Sequence, residues 1–139
     1  MMTHHVNDPC TNINFRAEFD GLAVEGFCYI SGLESLVEIV EDTAANTRKP
    51  GDQSCENIIL RRAIDERRDL WDWYRSTLSG EKAPRDGSIV ILNAARDEFL
   101  RIHVRQAWPC RWKLTALDAL HPEVLMEEIE LVVESLHVH

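Results

Sequence analysis

Between Asn57 and Tyr74 the hydrophobic pattern changes period within a few residues, and that change limits the architectures open to this chain. Ile58 and Leu60 alternate with Ile59 and Arg61 as a strand requires, and then Leu70, Trp71, Trp73, Tyr74 and Leu78 recur at helical spacing. A short strand therefore runs into a helix with one strongly apolar face. Asp65 can cap that helix, Asp65, Glu66 and Asp69 suit the positive end of its dipole, and Gly80 stands where a left-handed residue ends a helix. The stripe Leu70, Trp71, Trp73, Tyr74 and Leu78 is expected to pack against a sheet, with one tryptophan beneath it and the other flanking.

Around this junction most of the chain reads as short strands. A polar, flexible arm is expected over 1–12 and a single domain over 13–139. Phe15, Ala17 and Phe19 alternate with Arg16, Glu18 and Asp20, and Asp20-Gly21 reads as the turn of a hairpin. Leu22 to Ile30 is a second extended stretch broken by Gly26, Gly32 ends it, and Leu36 to Glu41 alternate again. Residues 42–56 carry no apolar periodicity and read as a long loop, which in a compact domain is usually disordered or functional. Glu81 to Gly87 reads as a charged turn, Ser88 to Leu92 as a strand buried on both faces, and Phe99 to Trp108 as a strand bounded by Pro109. Over 123–136 the residues fit a helix through Leu125, Ile129, Val132, Val133 and Leu136, or a strand through Ile129, Leu131 and Val133. Many short strands and one helix make an α+β or mainly β protein.

Composition excludes several functions. With 139 residues, 45% of them hydrophobic, the chain has the size of one domain and can bury a core without metals or disulfides. A formal charge of −9 argues against holding nucleic acid through its phosphates. The four cysteines form no Cys-x-x-Cys pair and no secretory signal is evident, which points to buried or free thiols in a reducing cytoplasm. No apolar run approaches the roughly 20 residues that cross a bilayer, so no membrane association of the monomer is expected.

The residues form no recognisable catalytic pattern. There is no Gly-x-Ser-x-Gly, and any Cys-His pairing would join distant positions. Lys49-Pro50-Gly51 is too short for a phosphate loop and opens no helix. His4-His5 and His137-Val138-His139 lie near the two ends; in a strand the latter pair would share one face, compatible with weak metal binding. Glu127, Glu128 and Glu130 read as a solvated face. No catalytic residue, metal ligand or cofactor is therefore expected. Trp108 and Trp112 straddle Pro109 and would share one face of a strand unless a bulge intervenes.

In order along the chain, Asn14-Phe15-Arg16-Ala17-Glu18-Phe19-Asp20-Gly21, Ile30-Ser31-Gly32-Leu33, Arg48-Lys49-Pro50-Gly51, Arg68-Asp69-Leu70-Trp71-Asp72-Trp73, Arg85-Asp86-Gly87-Ser88-Ile89-Val90 and Ala107-Trp108-Pro109 give the chain its kinship. From about Asn12 to Leu136 it resembles the tube proteins of contractile phage tails and extracellular contractile injection systems. The resemblance implies a small β-barrel or sandwich of antiparallel strands with one flanking helix. It also implies a strand over 123–136, homo-hexameric rings stacked into a hollow tube that cargo traverses, and sheath, baseplate and cap proteins as partners. A tube-initiator or baseplate-adaptor ring shares that fold, and a small monomeric ligand-binding β domain is a further alternative.

A ring of identical copies needs two patches that recognise each other head to tail. Free strand edges would supply them, and the expected edges are 14–20 and 123–136, through Phe15, Phe19, Ile129, Leu131 and Val133. Ring-to-ring contact is assigned to the arm and the 42–56 loop, through Asn46, Thr47, Arg48, Lys49, Pro50 and Gly51. Glu128, Glu130 and Glu134, or Glu38 and Glu41, are candidates for a polar lumen or a sheath contact.

Overall fold

The computed structural model describes residues 14–22, 26–81, 83–121 and 124–139, so the arm expected over 1–12, with His4 and His5, lies outside the described residues. Among the described residues nine strands and one helix follow one another: β1 (Asn14–Phe19), β2 (Phe27–Ser31), β3 (Ser35–Asp42), β4 (Thr47–Cys55), β5 (Ile58–Ala63), α1 (Asp69–Leu78), β6 (Arg85–Leu92), β7 (Glu98–Leu114), β8 (Met126–Val132) and β9 (Ser135–Val138). The protein is mainly antiparallel β, as its alternating patterns require. The ambiguous tail is strand, because Ile129 and Leu131 face Leu60 and Ile58 across the β5–β8 ladder.

One seven-stranded sheet runs β1-β6-β7-β8-β5-β2, with β9 also on β7, and a separate two-stranded sheet joins β3 to β4. Asp20-Gly21 does turn, with Gly21 at φ 76 and Leu22 N donating to Phe19 O at 3.0 Å. The expected hairpin does not form, however: β1 pairs with β6 and β2 with β5. Gly87 makes the first pairing possible. A Cβ there would stand 2.3 Å from Glu18 O and 2.4 Å from the Phe19 ring.

Strand β7 organises the sheet. Pro109 was expected to end it, yet the strand continues to Leu114. Two bulges explain this. At the first, Gln106 adopts φ 53 and its N–H donates to Asp86 Oδ1 at 2.9 Å; at the second the register slips between Pro109 and Arg111. Proline is tolerated at such a slip, where the ladder is already interrupted. Each slip shifts the buried phase, from Ile102 and Val104 to Ala107 and Pro109 and then to Trp112. Trp112 thus faces the core opposite Ile129, whereas Trp108 pairs with Val132 on the other face.

The core gathers Ala17, Phe19, Phe27, Ile58, Leu60, Ile89, Ile102, Val104, Ile129, Leu131 and Val133 from the strands, with Leu70 and Trp73 from α1. Trp73 meets Phe19 at 5.4 Å between ring centroids and donates its indole N–H to Ala83 O at 2.9 Å. Trp71 flanks, edge-on to Trp112 at 5.0 Å and against Tyr74 at 5.8 Å. Leu78 is a correction: it is 64% exposed, because the helix ends there. Asp65 is another. It accepts from Arg67 N at 2.8 Å, and the helix begins at Asp69 with Arg68 as its cap. At the far end Gly80, φ 87, closes a Schellman motif in which Gly80 N donates to Thr77 O and Glu81 N to Ser76 O.

What ties α1 to the sheet is ionic. Arg62 occupies the β5 core position after Ile58 and Leu60, fully buried, opposite Glu127 of β8. Its Nε donates to Glu127 Oε1 at 2.9 Å, its other nitrogens reach Asp69 in the first helical turn, and Trp112 Nε1 donates to Glu127 Oε2 at 2.9 Å. Both carboxylate oxygens of Glu127 therefore have partners. Removing Arg62 would strand a buried carboxylate, so Arg62→Met should cost about 3–5 kcal/mol in urea unfolding, and adding Glu127→Met should recover a large share. An Arg62→Met protein as stable as the parent would contradict this account.

Candidate functional site

Among the described residues, β1 has a ladder on one side, β2 on one side and β9 on one side. Their other edges leave backbone N–H and C=O groups to be matched. Phe15 is half-buried and Phe19 is 4% exposed, so on β1 the apolar side chains serve the core while the backbone forms the edge. The second expected edge is corrected. β8 lies between β5 and β7, and Ile129, Leu131 and Val133 are core residues, because the tail pairs with β7 along almost its whole length.

The expected loop over 42–56 is corrected as well. Asp42 Oδ1 accepts from Ala44 N and Ala45 N, Asn46 adopts φ 52, and the chain returns as β4 beside β3. Thr47, Arg48, Lys49 and Pro50 pair with Asp42, Glu41, Val40 and Ile39, and Arg48 reaches Glu41 at 3.4 Å. Gly51 lets the strands close, since a Cβ there would stand 2.7 Å from Val40. Periodicity was silent because β4 is polar along both faces. The six residues assigned to ring contact thus occupy the turn and returning strand of a hairpin.

That hairpin is exposed over nearly its whole length. Leu36 is 45%, Val37 53%, Ile39 66% and Val40 36% exposed. An isolated two-stranded ribbon is marginally stable in water. Four large apolar side chains on one ribbon make the kind of exposed patch that marks interaction surfaces. Leu36 to Glu41 form the expected strand, but both of its faces are open, which period two does not encode because it reports alternation and not what lies against it.

The outer face of β7, β8 and β5 is a lattice of opposite charges. Glu128 meets Arg61 at 2.6 Å and Lys113 at 3.6 Å; Glu130 accepts from Asn57 at 2.9 Å and lies 3.9 Å from Arg111. Tyr29 lies under the Arg61 guanidinium at 4.1 Å. The solvated acidic face expected at Glu127, Glu128 and Glu130 is corrected: Glu127 is 1% and Glu128 3% exposed, because cross-strand cations cover them. Glu134, Glu38 and Glu41 are exposed. A similar lattice covers β1, β6 and β7, where Arg16 and Arg101 hold Glu18 at 2.6 and 3.5 Å and Arg101 holds Glu98 at 2.8 Å.

Residues 11–137 match the family described as T4-like virus tail tube protein gp19. The structure is similar to a chain of the PVC sheath/tube terminator of an extracellular contractile injection system in the extended state, with TM-score 0.83, 23% identity and 97% of this chain covering 99% of that one. A chain of the PVC sheath-tube complex in the extended state gives TM-score 0.79 at 22% identity, over 90% of this chain and 87% of that one. Hcp1 from Flavobacterium johnsoniae gives 0.62 at 12% identity, over 89% and 93%. No curated protein matches the chain.

The buried ion pairs make stability depend on pH. Burial acts to raise the Glu128 pKa, but the Arg61 hydrogen bond and the charges of Lys113 and Arg61 outweigh it and hold the carboxyl below its ordinary value. The unfolded chain then binds that proton more readily, so the stabilisation is present above the unfolded pKa and lost as pH falls through the folded one. Urea midpoints should drop on going below about pH 4.3, and Glu128→Gln should flatten the drop. An unchanged slope in that variant would remove Glu128 from the explanation.

Proposed function

The chain belongs to the T4-like virus tail tube protein gp19 family, and from that membership we propose that six copies close into a ring and that rings stack into the hollow inner tube of a phage tail or tail-like injection particle. Its role is structural. The observation that carries the ring-and-stack reading is the β3–β4 hairpin, a ribbon with both faces open and four apolar side chains uncovered within the protomer. A neighbouring copy supplies the missing cover. Asn46, Thr47, Arg48, Lys49, Pro50 and Gly51 and the segment 1–12 are the contacts between rings, and the β1 edge beside Phe15 and Phe19 is a contact within the ring.

Ring closure by identical copies is heterologous, so one free edge of a protomer meets a different edge or face of the next. Edge strands that would endanger a monomer then become assembly surface. Obligate contacts of this kind bury on the order of 2,000 Å² or more, which several strand edges and a hairpin together can supply. The sheath packs outside the tube, baseplate and cap proteins hold its ends, and cargo passes within. Sheet faces whose charges are paired in the protomer favour that passage, since they offer a sliding molecule neither a large apolar patch nor an unscreened field. The protomer, made in the cytoplasm, acts as a building block and not as an enzyme.

A terminating or adaptor ring is the second reading. It is favoured by the fuller coverage of the terminator chain, 99% against 87% for the tube chain. Size exclusion with negative-stain microscopy separates the two: stacked tubes support the first, single rings the second, and persistent monomers neither. Deleting residues 44–52 should leave folded protein that forms rings but no longer elongates; unchanged tubes would refute the hairpin assignment. A milder test is Val37→Ser with Ile39→Ser, which should leave the unfolding midpoint of the protomer nearly unchanged while raising the concentration needed for assembly.

A further inference from the structure

Among the described residues, large apolar side chains in solvent gather at two places. One is the β3–β4 hairpin, through Leu36, Val37, Ile39 and Val40. The other is the connection between β7 and β8, where Leu117 is 77%, Leu120 85% and Val124 69% exposed. Tyr29, Leu78, Phe99 and Val138 are exposed as well, but each lies on a different element. Asp118 ties the second place into a turn: its Oδ1 accepts from Leu120 N at 2.9 Å, and its Oδ2 lies 2.9 Å from His121 Nδ1. Leu117 and Leu120 thus stand in water on a turn that is held and not loose.

The strand ladders put these two places at opposite ends of one sheet. Along β5, Ile58 pairs with Leu131 of β8 and Ala63 with Met126. The hairpin leaves from the first end, since it starts beyond Ser31, which faces Ile59, and returns into Ile58. The β7–β8 connection sits at the second end, between Leu114, which faces Glu127, and Met126. The length of β5 separates the two ends, about 17 Å of strand. One protomer therefore carries an apolar ribbon at one end and an apolar turn at the other.

We propose that the hairpin of one copy docks on the β7–β8 turn of a second copy in the adjoining ring, with Val37 and Ile39 against Leu117 and Leu120. This rests on the ring-and-stack reading and names the surface that receives the hairpin. Identical rings stack head to tail, so the two patches must differ and stand at opposite ends of the protomer. Each offers on the order of a few hundred Å² of apolar surface, the scale of the apolar centre in a standard contact of about 800 Å² per partner. Alternation along β3 puts Val37 and Ile39 on one face, with Pro50 across from Ile39. The polar groups at both ends of that face are paired already, Ser35 with Gln53 at 2.8 Å and Glu41 with Arg48 at 3.4 Å, and stay satisfied when the face is covered. The opposite face suits docking less, since Val40 lies across Gly51 and the exposed Glu38 and Lys49 stand beside it.

The test places opposite charges across the joint. Ile39→Lys and Leu120→Glu should each raise the concentration needed for stacking by about tenfold or more while single rings persist in negative stain. The two together should restore tubes, because the new charges attract where the apolar contact was lost. Both residues are exposed, so urea midpoints should stay at the parent value, which separates a docking defect from a folding defect. In tubes that mix isotope-labelled and unlabelled copies, p-benzoylphenylalanine at position 39 should cross-link on irradiation to a peptide of another copy that contains Leu117 and Leu120. Tubes unchanged by Leu120→Glu, or a cross-link that maps elsewhere, overturn the proposal and leave the ring-and-stack reading in place. Parent rings that never stack overturn both.

Discussion

A guanidinium in the interior decides how this protein is put together. Arg62 takes the next core position after Ile58 and Leu60, where an aliphatic residue would continue the pattern, and reaches Glu127 across the ladder and Asp69 on the helix. Burial works against its charge, but the two carboxylates outweigh burial and keep Arg62 more firmly protonated than usual. An apolar residue there would bind strand to helix through contact alone and leave the helix free to slide. The planar, forked donor fixes both position and direction, at the cost that each partner now depends on the others.

From that anchor the rest of the packing follows. With Asp69 held, the first turn of α1 is set, Leu70 and Trp73 point into the core, and Trp73 meets Phe19 from β1. Trp112 reaches the same ionic group through Glu127 and stacks edge-on against Trp71. It can do so because the second bulge in β7 shifts the buried phase. Without the slip between Pro109 and Arg111, Trp108 and Trp112 would share a face and one of them would leave the core.

The same sheet leaves work undone at its margins. Its charged faces are largely neutralised within the protomer, whereas among the described residues three strand edges and the β3–β4 ribbon are not completed there. Polar satisfaction on faces and incompleteness at edges suits a building block. Apolar residues placed on a ribbon that packs against little of its own chain cost a monomer solubility, and the proposed assembly would remove them from water.

Much of this was legible in the residues. The strand at 58–63, the helix face of Leu70 and Trp73, the Gly80 terminus and the alternation of Ile102 and Val104 against His103 and Arg105 depend on side-chain periodicity, a local property that survives without tertiary information. The β4 strand was not legible, since a strand with nothing on either face has no alternation to show. Which strands are edges could not be read either: β8 is interior and β1 left its hairpin for β6, because pairing is settled by distant partners and by the room that Gly87 leaves. Glu127 reads as part of a solvated face and nothing in the sequence marks Arg62 as its buried partner, as a residue's type reports what it prefers and not what lies opposite. Sequence determined the local periods, the helix and its end, and the family; tertiary structure decided pairing, bulge phase and the buried ion pairs. Those three are set by energies between residues far apart along the chain, and such energies exist only once the sheet has closed around them.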